Sequence, residues 1–399
     1  MKITFILCDT DLGGGNRTVL ECANRLHKKE HEVTVVYPLV PLTIHHETGP
    51  KFVKGQFLGT LRRIKNGKKP KWFNLRTKLE RVFTLSSGFG RFFQRRIPNS
   101  DVLVATAWET AYSLIGLNSK GVKAYFVQHY EIWDLWDDDG FWIEVEQHQN
   151  NGDRLCSGIT EIVPENPSMR KFKELVDRTY GLPFKKITTS SWLKELIEKK
   201  AGEKVVGTVT IGNNFETFYR EIHPDRRRDD RKKVLVSYRK KRWKGDGDGL
   251  RAVEIIKQKF PSVEILMYGP KKEADIPGWI KYYESPSDEQ LRRLYCLSDI
   301  FIFPSWVEGW GSPPMEAMAC GTACVTTNVG GVPEYTIPGE TALVVPPRKP
   351  RLLAQAAISL LEDDSGRQQI AEAGHKYIQR FTWDQTVNGL EKILYTIAE

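Results

Sequence analysis

Two glutamates eight residues apart, Glu308 and Glu316, bracket glycines, prolines and a serine in PSWVEGWGSPPMEAMACG, residues 304–321. One unbroken helix would carry both acids on roughly one face, but the intervening Gly and Pro residues forbid it. The segment reads instead as a loop holding Glu308, Gly309, Trp310 and Gly311, then a helix capped by Ser312, with Pro313 and Glu316 in its first turn. Such a helix start presents backbone donors and a partial positive charge to an anion. Two carboxylates thus face one phosphate-sized pocket from different elements, Glu308 from the loop and Glu316 from the helix.

Two further stretches carry chemistry. SYRKKRWKGDG brings Arg239, Lys240, Lys241, Arg242 and Lys244 to the end of an expected strand, where cations can neutralise a departing diphosphate. Losing one fixed donor from such a site costs on the order of 10²–10³ in rate. Near the start, LGGGNRT places Gly13, Gly14 and Gly15 after a short apolar run. Position 18, where a dinucleotide fingerprint needs its third glycine, is threonine, and the next strand ends Tyr37-Pro38 rather than in an acid. NAD binding is not expected. A glycine loop near a diphosphate or a sugar remains open beside a plain tight turn.

These residues need strands and helices to hold them. KITFIL, HEVTVVYP, DVLVAT, KAYFVQ, KITTS and VVGTVTIG read as buried strands alternating with helices, the plan of a doubly wound α/β domain. After the arginine-rich run at 219–233 the pattern restarts with VLVSY, VEILMYG, DIFIFPS, CVTTN and ALVVPP. With 399 residues, two domains are expected: 1–215, a linker at 216–231, and 232–380, followed by a final helix at about 383–399. No run approaches eighteen apolar residues, so neither a signal peptide nor a membrane span is expected. The six cysteines lack metal-ligand spacing and read as buried, reduced thiols.

The net charge of +9 is concentrated. Residues 51–97 hold fourteen Lys or Arg against Glu80 alone, a local +13 that leaves the rest of the chain at −4. Phenylalanines and Trp72 interleave this stretch, a mixture suited to an anionic membrane surface, with nucleic acid as the rival partner and a solvated insertion as the plain alternative. The Asp137-Asp138-Asp139 and Asp246-Gly247-Asp248 runs are assigned no metal, because cationic side chains and a helix N-terminus already offer leaving-group stabilisation.

Taken together, EGWGSPPMEAMACGTACVTTNVGGVPE, LGGGNR, HEVTVVYP, IGNNFETF, Arg239 five residues before Lys244-Gly245, and LYCLSDIFIFPS resemble the family 4 retaining glycosyltransferases over nearly the whole chain. Trp310, where that family often has phenylalanine, and Asn213-Asn214, where it often has asparagine–glycine, depart from the pattern and leave base and sugar open. The resemblance implies the GT-B fold, two Rossmann-like doubly wound domains facing a central cleft, with the last helix returning to the first domain. It implies that Glu316 binds ribose hydroxyls, Glu308 holds the donor sugar, Arg239 and Lys244 stabilise the diphosphate, and His129 sits by the transferred sugar. Gly309, Trp310, Gly311 and Ser312 would line the nucleotide, and Gly13, Gly14 and Gly15 would lie near phosphates and acceptor.

The function so implied is retaining transfer from a UDP-, GDP- or dTDP-sugar to an acceptor hydroxyl, without cofactor or metal. The acceptor expected is a lipid-linked glycan or growing surface polysaccharide, met by a cytoplasmic protein peripheral to the inner membrane face. The alternatives are a nucleotide-sugar epimerase or hydrolase of the same fold and, from another class, a basic nucleic-acid-binding protein. Confinement of the basic charge to one stretch, without a recognition module, argues against the latter.

Overall fold

A computed structural model describes residues 1–11, 13–39, 61, 70, 73–82, 95–117, 121–132, 141–145, 158–163, 167–221 and 231–399. Most of the basic 51–97 stretch, Asp137-Asp138-Asp139 and much of the 219–233 run lie outside these residues. The chain divides into two units: residues 1–133, 164–211 and 383–399 form the first, and residues 134–163 and 212–382 the second.

The first unit is built on a parallel sheet. Its strands are β1 (Lys2–Ile6), β2 (Glu32–Pro38), β3 (Lys78–Val82), β4 (Val102–Ala105), β5 (Val122–Val127), β8 (Lys185–Thr188) and β9 (Gly207–Thr208). They lie in the order β3-β2-β1-β4-β5-β8-β9, so the winding reverses beside β1. Every side chain of β4 is buried, which is why these strands read as apolar runs rather than as alternating patterns. Helix α1 (Gly14–Lys28) buries Val19, Leu20, Cys22, Ala23 and Leu26, the stripe that its sequence spacing predicts. Short helix α2 (Trp108–Ser113) follows β4, and α3 (Pro167–Tyr180) and α4 (Ser191–Ala201) precede and follow β8.

The second unit repeats the plan with β10 (Lys233–Ser237), β11 (Glu264–Gly269), β12 (Lys281–Glu284), β13 (Ile300–Phe303), β14 (Ala323–Thr327) and β15 (Leu343–Val345). Their order is β12-β11-β10-β13-β14-β15, all parallel, with the reversal at β10. Helix α5 (Asp246–Lys259) sets Ala252, Val253 and Ile256 against this sheet. Its other helices are α6 (Asp288–Leu297), α7 (Ser312–Ala319), α8 (Val332–Tyr335), α9 (Pro350–Glu362) and α10 (Asp364–Ile378). An antiparallel pair, β6 (Phe141–Val145) with β7 (Gly158–Val163), groups with this unit.

The last helix, α11 (Trp383–Ala398), belongs to the first unit and packs on α1. Thr386 donates to the Thr210 carbonyl at 2.8 Å, and Glu391 engages both Lys29 and His31. The 16-residue α11 thus packs on a helix near the start of the chain, not on a strand next to it in sequence. No helix among the described residues is long and apolar enough to cross a membrane.

Candidate functional site

The site of the second unit starts where two loops meet at the carboxyl edge of its sheet. After β10 the chain passes Arg239, which is exposed, makes a tight turn at Arg242–Lys244, and enters α5 through Gly245 at φ 67°. A Cβ at Gly245 would fall 2.0 Å from the Pro304 carbonyl oxygen, so glycine lets this loop lie against the loop after β13. The Trp306 N–H donates to the Trp243 carbonyl at 2.9 Å and ties the two together.

The consequence is an ion pair. Lys244 Nζ stands 2.5 Å from Glu308 Oε1, and the Ser305 hydroxyl donates to the same oxygen at 2.8 Å. Both charged side chains are largely buried, 17% and 10% exposed. Burial pulls the Lys244 ammonium below the usual lysine range, against the attraction of Glu308, and the nearby Arg239 charge pulls it further down. A cation so placed, with its carboxylate partner already desolvated, can hold an anion or exchange hydrogen bonds with hydroxyls without reorganising water.

The helix start differs by one residue from the sequence expectation. The cap is Gly311, at φ 86° and ψ 64°, and Ser312 is the first helical residue, with no side-chain capping bond. Glu316 consequently lies just beyond the first turn. The physical reason is that only glycine takes this left-handed cap at little cost, and the Tyr335 hydroxyl holds it by donating to the Gly311 carbonyl. Pro313 and Pro314 also remove two backbone N–H groups from the first turn. Backbone donation to an anion here falls to Gly311 and Ser312.

Glu316 accepts from the Tyr295 hydroxyl at 3.2 Å, and that hydroxyl is 2.8 Å from the Tyr268 hydroxyl. Tyr268 rises above the ordinary phenol range through burial and the Glu316 charge, so both phenols stay neutral donors near Glu316. Trp310 is turned inward: it is 6% exposed, donates to Met315 Sδ at 2.9 Å, and packs on Tyr335 and Phe381. Asn213 donates to the Met315 carbonyl at 3.4 Å, steadying the same turn from the junction segment.

The structure therefore brings Lys244, Glu308, Gly309, Gly311, Ser312 and Glu316 to one edge, with Arg239 on the adjoining turn. Gly13, Gly14, Gly15 and His129 stand in the first unit, also at a carboxyl edge. Gly13 caps α1 in extended conformation, and a Cβ on Gly15 would be 3.6 Å from the Gln128 side chain, next to His129. His129 is 6% exposed, with Nδ1 2.8 Å from the Tyr130 carbonyl, an arrangement in which Nδ1–H donates.

Sequence reasoning passed over an acidic pair beside the winding reversal of the first unit. Glu131 is 6% exposed and accepts from the Trp108 N–H at 2.6 Å and from the Tyr125 hydroxyl at 3.2 Å. Glu109 faces the Cys8 thiol, Sγ to Oε2 3.6 Å. Burial pushes Glu131 well above the carboxylate range, with the Glu109 charge adding to it, and burial pushes Glu109 up to about 7. The available signal was an acid four residues after a buried strand's end.

Because Glu109 binds its proton more tightly folded than unfolded, its contribution is fully present at low pH. It is lost as pH rises from about 4.5 towards about 7. Glu109→Gln is expected to gain on the order of 1–3 kcal/mol over the parent at pH 8 and nothing at pH 4. Thermal unfolding of both proteins across that range is the check; parallel curves would remove Glu109 as the titrating group.

Residues 218–377 match the family model of glycosyl transferases group 1. That span contains Arg239, Lys244, Glu308 and Glu316. The O-antigen chain mannosyltransferase B of Escherichia coli is 36% identical over 115 residues, 28% of this chain and 30% of that protein. A D-inositol 3-phosphate glycosyltransferase of Corynebacterium diphtheriae is 34% identical over 114 residues, 29% and 27% of the two chains. These matches span less than a third of the curated relatives' length.

Among solved structures, Anabaena HepE in complex with UDP-glucose has a TM-score of 0.68 at 14% identity, covering 99% of this chain and all of that one. Sucrose-phosphate synthase from Thermosynechococcus elongatus has a TM-score of 0.66 at 17% identity, covering 99% and 98%. At these identities the likeness is one of fold: the chain is GT-B, an α/β protein of two Rossmann-like units. Among the described residues no group of three His, Cys, Asp or Glu is placed to hold a metal ion.

Proposed function

We propose that this protein transfers a sugar, with retention of configuration, from a nucleotide diphosphate sugar to an acceptor hydroxyl, as a family 4 glycosyltransferase. The observation that carries this reading is the buried Lys244–Glu308 pair set beside the glycine-capped start of α7, with Glu316 one turn further on. In this reading Glu316, oriented by Tyr295, takes the ribose hydroxyls. Glu308 takes hydroxyls of the donor sugar.

Lys244 and Arg239, with the Gly311 and Ser312 backbone, take up the charge that develops on the diphosphate as the glycosidic bond breaks. Neither acid needs to move a proton or attack the sugar, so the double displacement of a retaining glycosidase is not invoked. The incoming hydroxyl would meet the face from which the diphosphate leaves. Leaving-group stabilisation is assigned to these cations rather than to a metal, so chelator should leave the rate unchanged. The roles of Gly13, Gly14, Gly15 and His129 rest on the family resemblance alone.

That HepE was solved with UDP, with UDP-glucose, and with UDP and glucose makes uridine nucleotides the first donors to try, before GDP- and dTDP-sugars. A cognate nucleotide at a hundred times its Kd should stabilise the fold by about 2.7 kcal/mol, visible as a thermal shift. Glu316→Ala should cut that affinity roughly tenfold to a hundredfold, since a charged hydrogen bond is worth about 1.5–3 kcal/mol. Full affinity in this variant would make the ribose assignment wrong.

The acceptor proposed is a lipid-linked glycan or surface polysaccharide at the inner membrane face, drawn from the basic, aromatic sequence at 51–97. A curated relative that acts on O-antigen chains, by its name, is consistent with this acceptor class. Binding to anionic vesicles should exceed binding to neutral ones and weaken with salt. Equal, salt-insensitive sedimentation with both would count against a membrane partner.

A further inference from the structure

The segment that leaves β5 carries His129, and the residue after it is pinned from several sides. Tyr130 is fully buried. Its hydroxyl donates to Asp177 Oδ1 at 2.8 Å, its ring lies 6.0 Å from that of Tyr180, and the Lys200 ammonium sits 4.7 Å from the ring centroid. Asp177, near the end of α3, also pairs with Lys173 at 3.0 Å and with Lys200 of α4 at 3.2 Å. These charged side chains are between 14% and 26% exposed, so the cluster is largely out of water.

The backbone of Tyr130 faces the histidine. Its carbonyl accepts from the Ile132 N–H at 2.9 Å and stands 2.8 Å from His129 Nδ1. A carbonyl only accepts, so Nδ1 carries a proton, and in the neutral ring Nε2 is then the acceptor nitrogen.

We propose that Asp177 and Tyr130 are positioning residues for His129. The phenol–carboxylate bond fixes the Tyr130 peptide, and that peptide keeps the imidazole in the tautomer whose Nε2 accepts a hydroxyl of the transferred sugar. The tautomer half stands on these contacts alone. The sugar half rests on the place given to His129 in the proposed function.

Tyr130 cannot swing without breaking a hydrogen bond to a charged acceptor and uncovering its ring. Such bonds are roughly twice as strong as neutral ones. Ammonium groups from α3 and α4 hold the Asp177 carboxylate in turn, so the direction of the Tyr130 carbonyl is set by two helices rather than by the loop it belongs to. An imidazole misplaced by about 1 Å can cost on the order of 10² in rate. The nucleotide residues Glu308 and Glu316 belong to the other unit, so loosening this clamp leaves them as they are.

Histidine-selective nitrogen-15 labelling of the full chain reads the tautomer, because protonated and unprotonated ring nitrogens resonate far apart, and His129→Gln identifies the signal. The parent is expected to show a protonated Nδ1 above neutral pH. Tyr130→Phe should give a mixture of tautomers, lower kcat roughly tenfold to a hundredfold and leave UDP affinity unchanged. Asp177→Ala should match it, whereas Asp177→Asn, whose amide oxygen can still accept from the phenol, should keep the parental tautomer. Glu203→Gln, which weakens the Lys186 ion pair elsewhere in the unit, controls for general loosening: Tm falls while tautomer and kcat hold.

The parental tautomer in Tyr130→Phe overturns the clamp, as does a Glu203→Gln protein that reproduces the Tyr130→Phe changes. A mixed tautomer with parental kcat overturns the coupling to the sugar. A parent that transfers no sugar strikes the proposed function instead, and the spectrum still decides the clamp.

Discussion

Glu308→Ala is expected to reduce transfer by at least 10²–10³ in kcat/KM and to destabilise the second unit as well. The substitution leaves Lys244 largely buried without its nearest counter-charge, and breaking a buried pair in this way costs about 3–5 kcal/mol. Some exposure of both side chains places the cost here toward the lower end. Glu308→Gln separates the two effects, because an amide can still accept from Ser305 while losing the charge. A double-mutant cycle with Lys244→Met should return a coupling energy of about 1–3 kcal/mol in unfolding. Additive unfolding energies would mean that the 2.5 Å pair contributes nothing in solution.

Gly330→Ala is expected to cost at least about 3 kcal/mol and to take activity with it. Gly330 sits at φ 54°, and a Cβ there would lie 1.9 Å from the Glu308 carbonyl oxygen, a backbone atom that cannot rotate away. Relief requires moving the Glu308 peptide itself. Gly339 is the matched control: its φ is 78°, yet nothing lies within 4 Å of an added Cβ, so Gly339→Ala should cost only about 1–2 kcal/mol. Equal loss of melting temperature in both variants would show that backbone strain, not the contact with Glu308, sets the penalty.

Much of the fold was legible because its central strands are short, rich in β-branched residues and buried on both faces. ILMY of β11 and IFIF of β13 admit no amphipathic alternative, and glycine turns separate them from their helices. The two acids were legible for a related reason: Gly309, Gly311, Pro313 and Pro314 exclude one continuous helix and assign them to different elements. The helix start was read one residue late, since Ser312 has the side chain of a good cap, whereas the position requires the left-handed backbone of Gly311. Trp310, read as lining a nucleotide, is packed inward on Met315 and Tyr335, a contact that no local pattern signals.

By itself, then, the sequence determined the alternation of strands and helices, the restart of that alternation after the arginine-rich run, and the presence of acids and cations at strand ends. Those features depend on residues within one turn or one strand of each other, where sterics and hydrophobic period act directly. The tertiary structure alone decided who meets whom. Lys244 and Glu308 are 64 residues apart in sequence, and they pair because β10 lies beside β13 and Gly245 admits the Pro304 carbonyl. Glu316 acquires Tyr295 and Tyr268, and Glu131 acquires the Trp108 N–H, through the same crossing of parallel strands. Strand order in a parallel sheet is set by which crossovers bury the most surface, a property of the whole chain rather than of any stretch of it.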